Sequence, residues 1–478
     1  MLIRQIVDEK LAQNAYLIGC QKTGEAIVID PERDVDRYIA VAEREGLRLV
    51  AAAETHIHAD FLSGVRELAR RSADLRVYLS DEGDDEWKYQ WPAADARDAV
   101  MLRNGDRFRV GNIELRAWHT PGHTPEHLTF VVTDHGAGVS IPMALVTGDF
   151  LFVNDLGRPD LLESALGVHG VMQTAARRLY ASARQLDGVD DYVQVWPGHG
   201  AGSACGKALG AVPTSTVGYE RRVSPALLKV AEGEDAFVEF ILTDQPEPPL
   251  YFAEMKRLNK IGPPVRGNVP APPQLTSEEV RDLAAKPDVQ VVDTRADRLQ
   301  FFQGHLPGVF YAPFNKTFPT TIGSMLDAEQ PLVLLVDQSD VDDAVRALVR
   351  IGHDRVLGWA PVSMVEDLAT QGVPLATIES IDIEEFERRR AASALAVLDV
   401  RTAAEHAARH VPGAQNIAHT RLRSRLSEID SSRSLHVHCG TGARAAASVA
   451  LLRRRGHAVT HVEGAFATWQ PSALTEAR

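Results

Sequence analysis

Long apolar runs are missing from this chain of 478 residues. Without a stretch of about 18 apolar residues, no membrane-spanning helix is expected. The opening, MLIRQIVDEKLAQNAYLIG, carries charges where a signal peptide needs its apolar stretch, so no such signal is expected. Cysteine is scarce: Cys20, Cys205 and Cys439 are widely spaced and odd in number. That excludes a disulfide framework and points to a reducing compartment, so a cytoplasmic location is expected. An excess of basic residues is missing as well. The formal net charge of −14 argues against nucleic acid or an anionic membrane as the main partner. The remaining composition is that of an ordinary soluble globular protein, and the length predicts two to four domains.

A proline-rich stretch, GPPVRGNVPAPPQ at 262–274, divides the chain and reads as a linker or extended connection. Before it, short β-rich runs such as EAIVIDP, NIELRAWHT, LTFVVTD, MALVTGDF and DYVQVWPGHG alternate with amphipathic helical patterns. Several of these strands run straight into His or Asp, which predicts an α/β domain with its site at strand ends. After the linker the sequence repeats itself. VVDTRADRLQFFQGHLPGV (291–309) matches VLDVRTAAEHAARHVPGA (397–414) with one gap, pairing Asp293, Arg295, His305, Pro307 and Gly308 with Asp399, Arg401, His410, Pro412 and Gly413. The spacing of the copies predicts two small domains rather than a solenoid. The expected division is 1–245, a linker at 246–274, a first repeat domain at 275–376 and a second at 377–478.

Four predicted strand ends carry metal-ligand types. They are His56, His58 and Asp60 in THIHADFLSG, His123 in HTPGHTPEH, Asp149 in VTGDFLF, and His199 in WPGHGAG. In an extended loop the alternation at 56, 58 and 60 places three side chains on one side. One such residue alone is weak evidence, and His119 and His127 are read as surface or satisfied polar groups. The four motifs together predict a metal site.

THIHAD, TPGHT, TGD and PGHG, in this order over the first 245 residues or so, resemble the metallo-β-lactamase superfamily, an αββα sandwich. The dinuclear zinc hydrolases of that superfamily carry a further His directly after the Asp of the first motif, where this chain has Phe61. The resemblance therefore implies a second ion bound poorly or not at all. GDFLFVNDLGRPDL (148–161) is similar to the persulfide dioxygenase branch, which implies one Fe(II) per chain held by His56, His123 and Asp149. Three protein ligands leave open positions for O2 and a substrate sulfur. His58, Asp60 and His199 would then orient ligands and bound water. The alternative is a hydrolytic zinc site with His58 as a direct ligand. Arg158 and Asp160 match positions of that branch and are read as an ion pair fixing the loop or as a substrate contact.

Cys439 lies in HVHCGTGARAAASVALLRRRG, a strand followed by Cys439, Gly440, Thr441, Gly442, Ala443 and Arg444 and then a helix. Free N–H groups at a helix start, the helix dipole and Arg444 all favour a thiolate or persulfide anion there. Cys-x4-Arg after a strand, with LDVR and HVPGA upstream, resembles the rhodanese sulfurtransferases. The phosphatase-type loop is one residue longer, so a phosphatase or arsenate reductase role is disfavoured. The first copy keeps VVDTR and GHLPGV but reads VDQSDVDDA at 336–344, without Cys or Arg, and Asp337 and Asp340 would repel an anionic sulfur species. It is expected to be non-catalytic. Cys205, six residues after His199 in a glycine-rich loop, is expected near the metal site, where it relays sulfur, becomes oxidised or packs. Cys20 ends a predicted strand and is read as a packing residue.

The resemblance covers nearly the whole chain. It implies a persulfide dioxygenase fused to two rhodanese units, the first degenerate: α/β throughout, a sandwich followed by two rhodanese-like domains. The implied substrates are O2 and a small thiol persulfide of glutathione, coenzyme A or a similar carrier, with sulfite and thiosulfate as sulfur products. A homo-oligomer is compatible by family analogy only. The rivals are a zinc thioester hydrolase of the glyoxalase II kind and a binding or sensing N-terminal domain with turnover at Cys439 alone.

Overall fold

The computed structural model describes residues 1–92, 99–164, 170–469 and 475–476. The chain forms two compact units, Met1–Val269 and Pro270–Arg478.

The first unit contains two six-stranded sheets. One orders Leu2–Asp8, Gln13–Cys20, Glu25–Ile29, Arg48–Ala53, Arg76–Ser80 and Val100–Leu102. The other orders Ser215–Thr216, Gln194–Pro197, Ala144–Gly148, Leu128–Asp134, Ile113–His119 and Arg107–Val110. The central strands Gln13–Cys20, Glu25–Ile29, Leu128–Asp134 and Ala144–Gly148 are covered on both faces and are nearly continuous buried runs. Alternate residues take opposite faces. Ile27, Ile29, Ala53, Phe130, Val132 and Val146 meet between the sheets. Val28, Ala52 and Val77 turn outward beneath Tyr38, Val65 and Leu68 of helices Asp36–Arg44 and Val65–Arg71. Val131, Leu145 and Val195 likewise turn towards Ala176 and Leu179 of Met172–Arg184 and towards Phe237 of Glu234–Leu242. The layering is αββα. Cys20 lies in the core between the sheets.

The segment 246–274, expected as a linker, contains the helix Phe252–Ile261. That helix belongs to the first unit because its buried Asn259 donates to the carbonyls of His58 (2.8 Å) and Phe61 (2.7 Å) and accepts from Ser63 N–H (2.9 Å). Prolines at 263 and 264 follow its end, and Arg66 donates to Pro263 O at 2.8 Å, so this proline-rich stretch is pinned to the surface.

The second unit holds two all-parallel sheets, one per sequence repeat. The first orders Phe310–Tyr311, Gln290–Asp293, Leu332–Leu335 and Val356–Ala360. The second orders Glu379–Ile381, Val459–Val462, Leu435–His438, Ala396–Asp399 and Gln415–Asn416. Asp293 pairs in register with Leu335, and Asp399 with His438. The next residue after each partner, Val336 in one copy and Cys439 in the other, therefore leaves an equivalent strand end. No described helix is long and apolar enough to cross a membrane.

Candidate functional site: a buried His/Asp centre and a cysteine loop

The strand Arg48–Ala53 runs into Glu54 and then THIHADFLSG, every residue of which except Ala59 is buried. A loop buried this deeply needs partners for its backbone and polar groups. Asp30, at the end of the neighbouring strand and at a positive φ of 53°, supplies several. Its Oδ1 accepts from Thr55 N–H (2.7 Å) and from His58 Nε2 (3.1 Å), and its Oδ2 accepts from Thr55 Oγ1 (2.9 Å). Glu126 accepts from Ile57 N–H at 2.8 Å. Glu54 accepts from Tyr89 Oη at 2.6 Å and from Ser63 Oγ, and burial pushes its carboxyl up to about 7.

His56, His123 and Asp149 converge. Each offers one ligand atom, and these atoms lie within 4.8 Å of one another. The hydrogen bonds fix which nitrogen each imidazole presents. Thr55 Oγ1 gives its only proton to Asp30, so at 2.9 Å from His56 Nδ1 it accepts. His56 Nδ1 therefore carries the proton, and Nε2 keeps its lone pair. His123 Nδ1 donates to Arg158 O at 3.0 Å, which leaves its Nε2 free 3.5 Å from Asp149 Oδ2. Burial holds both imidazoles below their ordinary range, hence neutral. Asp149 Oδ2 is buried with no hydrogen-bond partner among the described residues. An orphaned carboxylate oxygen facing two neutral imidazole lone pairs is a costly arrangement for an empty interior and a suitable one for a cation. The residues fit a metal ion.

His199 is built for a different task. Nδ1 lies 2.8 Å from Asp149 Oδ1, and Nε2 lies 2.8 Å from Asp60 Oδ2. Carboxylates only accept, so both nitrogens donate and the ring is an imidazolium. Burial opposes that charge, but Asp149 and Asp60 outweigh it and raise its pKa well above the ordinary value. The same ion pair overcomes the burial of Asp149 and keeps it ionised. His58 follows the same logic: burial opposes its charge, and Asp30 raises it to about 9. Its ring lies 4.4 Å from that of Phe61, which is fully buried.

Cys205 lies beside this centre. Asp60, His199 and Cys205 bring one ligand atom each within 4.8 Å, and all three are buried. Burial and the nearby Asp149 and Asp60 push the thiol well above its ordinary pKa, so it is neutral. Arg158 and Asp160 form a buried two-point ion pair at 2.8 and 2.6 Å. Arg158 N–H also donates to Cys205 O (3.2 Å), and its Nη1 donates to Ala204 O (3.1 Å). The pair thus ties the loop of Asp149 to that of Cys205. Gly157 permits the turn, since a Cβ there would sit 1.8 Å from Asp149 O. His127 donates from Nδ1 to Thr120 Oγ1 (2.9 Å) and accepts Asp149 N–H at Nε2 (3.1 Å), and so has no lone pair for a metal. His119 Nε2 donates to Pro125 O at 2.8 Å.

In the second unit Cys439 is 2% exposed, at the exit of Leu435–His438 and before helix Ala443–Arg454. Gly442 N–H donates to its Sγ at 3.1 Å. Arg444 makes a two-point ion pair with Glu405 at 2.6 and 2.7 Å, which fixes the guanidinium beside Gly440.

An αββα sandwich with a buried His/Asp cluster that fits a metal ion, joined to a parallel-sheet domain with a cysteine loop, is the framework of a metal-dependent enzyme with an added cysteine-loop domain. A family model described as the metallo-beta-lactamase superfamily matches residues 9–199, and one described as a rhodanese-like domain matches residues 382–472. The mitochondrial persulfide dioxygenase ETHE1 of Bos taurus is 30% identical over 232 residues, 48% of this chain and 76% of that protein. A hydroxyacylglutathione hydrolase of Xanthomonas euvesicatoria is 33% identical over 136 residues, 28% of this chain and 45% of that protein. The crystal structure of a metallo-beta-lactamase from Staphylococcus aureus covers 76% of this chain and 99% of its own, at 40% identity and a TM-score of 0.67. The chain belongs to the metallo-β-lactamase superfamily, with persulfide dioxygenases among its homologues and a rhodanese-like domain at its C-terminal end.

Sequence reasoning missed Asp30, Glu126 and Asn259, which hold the loop of His56. Only Asp30 carried a signal, an acidic residue at the end of a predicted strand in EAIVIDP.

Proposed function

We propose that the first unit oxidises a thiol persulfide, such as that of glutathione or coenzyme A, to sulfite with O2. The third oxygen comes from water, and the carrier thiol is released with its proton. In this reading His56, His123 and Asp149 hold one Fe(II), which supplies open positions for O2 and the persulfide sulfur when bound. The observation that carries the reading is His199. Both of its nitrogens are spent on carboxylates, which leaves a centre of three protein donors. The chain's own groups then have distinct tasks. His199 and its two carboxylates aim Asp149, Arg158 O holds His123 in the tautomer that presents Nε2, and Phe61 fills the space beside His58. The buried surroundings exclude bulk water from a reactive sulfur species. Cys205, a buried neutral thiol beside Asp149, would have to lose its proton before it could relay sulfur.

In the second unit Cys439 would accept sulfane sulfur. Its thiolate attacks the outer sulfur of thiosulfate, the S–S bond breaks with release of sulfite, and Cys439 becomes a persulfide that passes the sulfur to a nucleophile. The reverse step makes thiosulfate from sulfite. Tethering this carrier to the oxidising unit raises the local concentration of the intermediate.

A second reading rests on His58. Its Nδ1 is buried without a partner among the described residues, which favours His58 as a direct ligand of a hydrolytic zinc, in line with the hydroxyacylglutathione hydrolase relative. Metal analysis of protein purified without oxidation, with O2 uptake on glutathione persulfide, decides between them. Iron with O2 uptake is expected; zinc without uptake, and hydrolysis of acylglutathione, overturns the dioxygenase reading.

A further inference from the structure

The first repeat has no cysteine to do chemistry with, yet its short helix Arg298–Gln303 reaches the cysteine loop of the second. Arg298 Nη2 donates to Thr441 O at 3.1 Å, and Nε donates to Glu463 Oε2 at 2.8 Å, with a second Nη2 contact to Glu463 Oε1. Glu463 follows the strand Val459–Val462, whose His461 donates from Nε2 to Gly442 O at 3.0 Å. That assignment leaves His461 Nδ1 as the acceptor of Ser380 Oγ–H at 3.1 Å. Phe302 of the same first-repeat helix packs on the His461 ring, 4.8 Å between centroids. The carbonyls of both Thr441 and Gly442 are therefore fixed, one by the first repeat and one by the second.

Gly442 sits between these two anchors at φ 88°. A Cβ there would lie 3.0 Å from Arg298 Nη2 and 3.0 Å from Glu463 Oε1. It is also Gly442 whose N–H reaches Cys439 Sγ. A left-handed glycine held on both sides turns its amide towards the sulfur, and a donor fixed in advance stabilises an anion without reorganising. Arg444, the arginine of the loop itself, is turned to Glu405. The charge-assisted contact to the loop carbonyl comes from Arg298.

We propose that the cysteine-less repeat is a working part of the Cys439 site, with Arg298 a positioning residue that clamps Thr441, Glu463 and hence the Gly442 amide against the cysteine sulfur. The proposal rests on sulfur transfer at Cys439, and its test separates the two. In the full chain, sulfur transfer from thiosulfate to cyanide is followed in Arg298→Ala, Arg298→Gln and Arg298→Lys, with Cys439→Ser as the blank. Losing the charge-assisted contacts to Thr441 and Glu463 predicts a fall in kcat of about tenfold for the Ala variant, with KM for thiosulfate within about twofold. Lys should recover part of the loss, because a single ammonium cannot span a carbonyl and a carboxylate as a planar fork does. Carbamidomethylation of Cys439 at fixed pH, read by peptide mass, should slow about threefold in the Ala and Gln variants. Unchanged kcat and alkylation in folded Ala and Gln variants overturn the clamp. A KM rise at constant kcat overturns it too, since that outcome marks Arg298 as a docking point for the anion. Should the wild type transfer no sulfur, the sulfurtransferase reading fails, and the alkylation rates alone decide the role of Arg298.

Discussion

The two repeats of the second unit share a frame and differ in the loop that the frame presents. In the first, Asp293 is fully buried and binds Arg295 at 2.8 to 3.1 Å, while Arg295 Nη2 donates to Gly304 O. In the second, Asp399 is fully buried and binds Arg401 at 2.5 to 3.1 Å, while Arg401 Nη2 donates to Arg409 O. His305 Nδ1 donates to the carbonyl four residues back, Phe301 O, and His410 does the same to His406 O. These motifs recur in the copy that lacks the cysteine, where they brace the strand end. What differs is the residue leaving the second strand: Val336, fully buried, against Cys439 with its Gly442 amide. The comparison separates the braces common to both copies from the cysteine loop that only one of them carries.

The strongest way to break that contrast is to remove or move the cysteine. Cys439→Ser should lower thiosulfate–cyanide transfer by about 10³-fold or more, because the nucleophile is lost. Adding Val336→Cys to that variant should restore nothing, since the first loop lacks a partner arginine and carries Asp337 and Asp340. Sulfite formation from glutathione persulfide, measured on the same samples, should persist in Cys439→Ser and be lost in Asp149→Ala. Next in size is the frame. Asp399→Asn leaves the buried Arg401, and Asp293→Asn the mostly buried Arg295, without its carboxylate, and each should destabilise the second unit by about 3 kcal/mol, read from urea midpoints. Equal losses confirm the frame as structural in both copies. A loss confined to Asp399 would tie the motif to catalysis instead.

Repeats, strand-end motifs and the cysteine loop were legible because each is local: a short window holds the strand, the turn and the reactive residue. The αββα layering followed from the same windows through the resemblance that they carry. The state of His199 was not legible, since its charge comes from Asp60 and Asp149, 139 and 50 residues away in the chain. Asn259 was hidden inside a segment read as linker: the helix there buries Phe252 and Met255 on the same face, but the task of Asn259 comes from the buried carbonyls of His58 and Phe61, about 200 residues away in the chain. Arg298 carried no signal of its own in the sequence. Its meaning depends on Thr441 and Glu463, which only the fold brings to it.

Gly442 sharpens the comparison at smaller cost. Gly442→Ala forces a side chain into a left-handed position with its Cβ against Arg298 and Glu463, and should destabilise the second unit by about 1–2 kcal/mol. The same change at Gly308 of the first repeat, also at a positive φ of 80° but with an added Cβ no nearer than 3.4 Å to its closest neighbour, Ala284 O, should cost about 1 kcal/mol and leave sulfur transfer untouched. Urea midpoints and thiosulfate–cyanide rates on the two variants check the pair.

The smallest effect is electrostatic and confined to the second copy. Burial would raise the Glu405 carboxyl, but hydrogen bonds from Arg444 and from the Thr402 amide hold it at about 2. A folded-state value below the unfolded one means that this carboxylate stabilises the fold fully above about pH 4.5, with the contribution lost as pH falls towards 2. Glu405→Gln should flatten that part of the acid-unfolding curve and leave the neutral range nearly level, because the partner guanidinium is 29% exposed and well screened. The helix Arg298–Gln303 at the matching place in the first copy is capped by Asp297 and turns its arginine to Glu463 of the second copy, so an acid limb that stays steep in Glu405→Gln would mean that other groups of this unit, not the Glu405–Arg444 pair of the cysteine loop, set its acid stability.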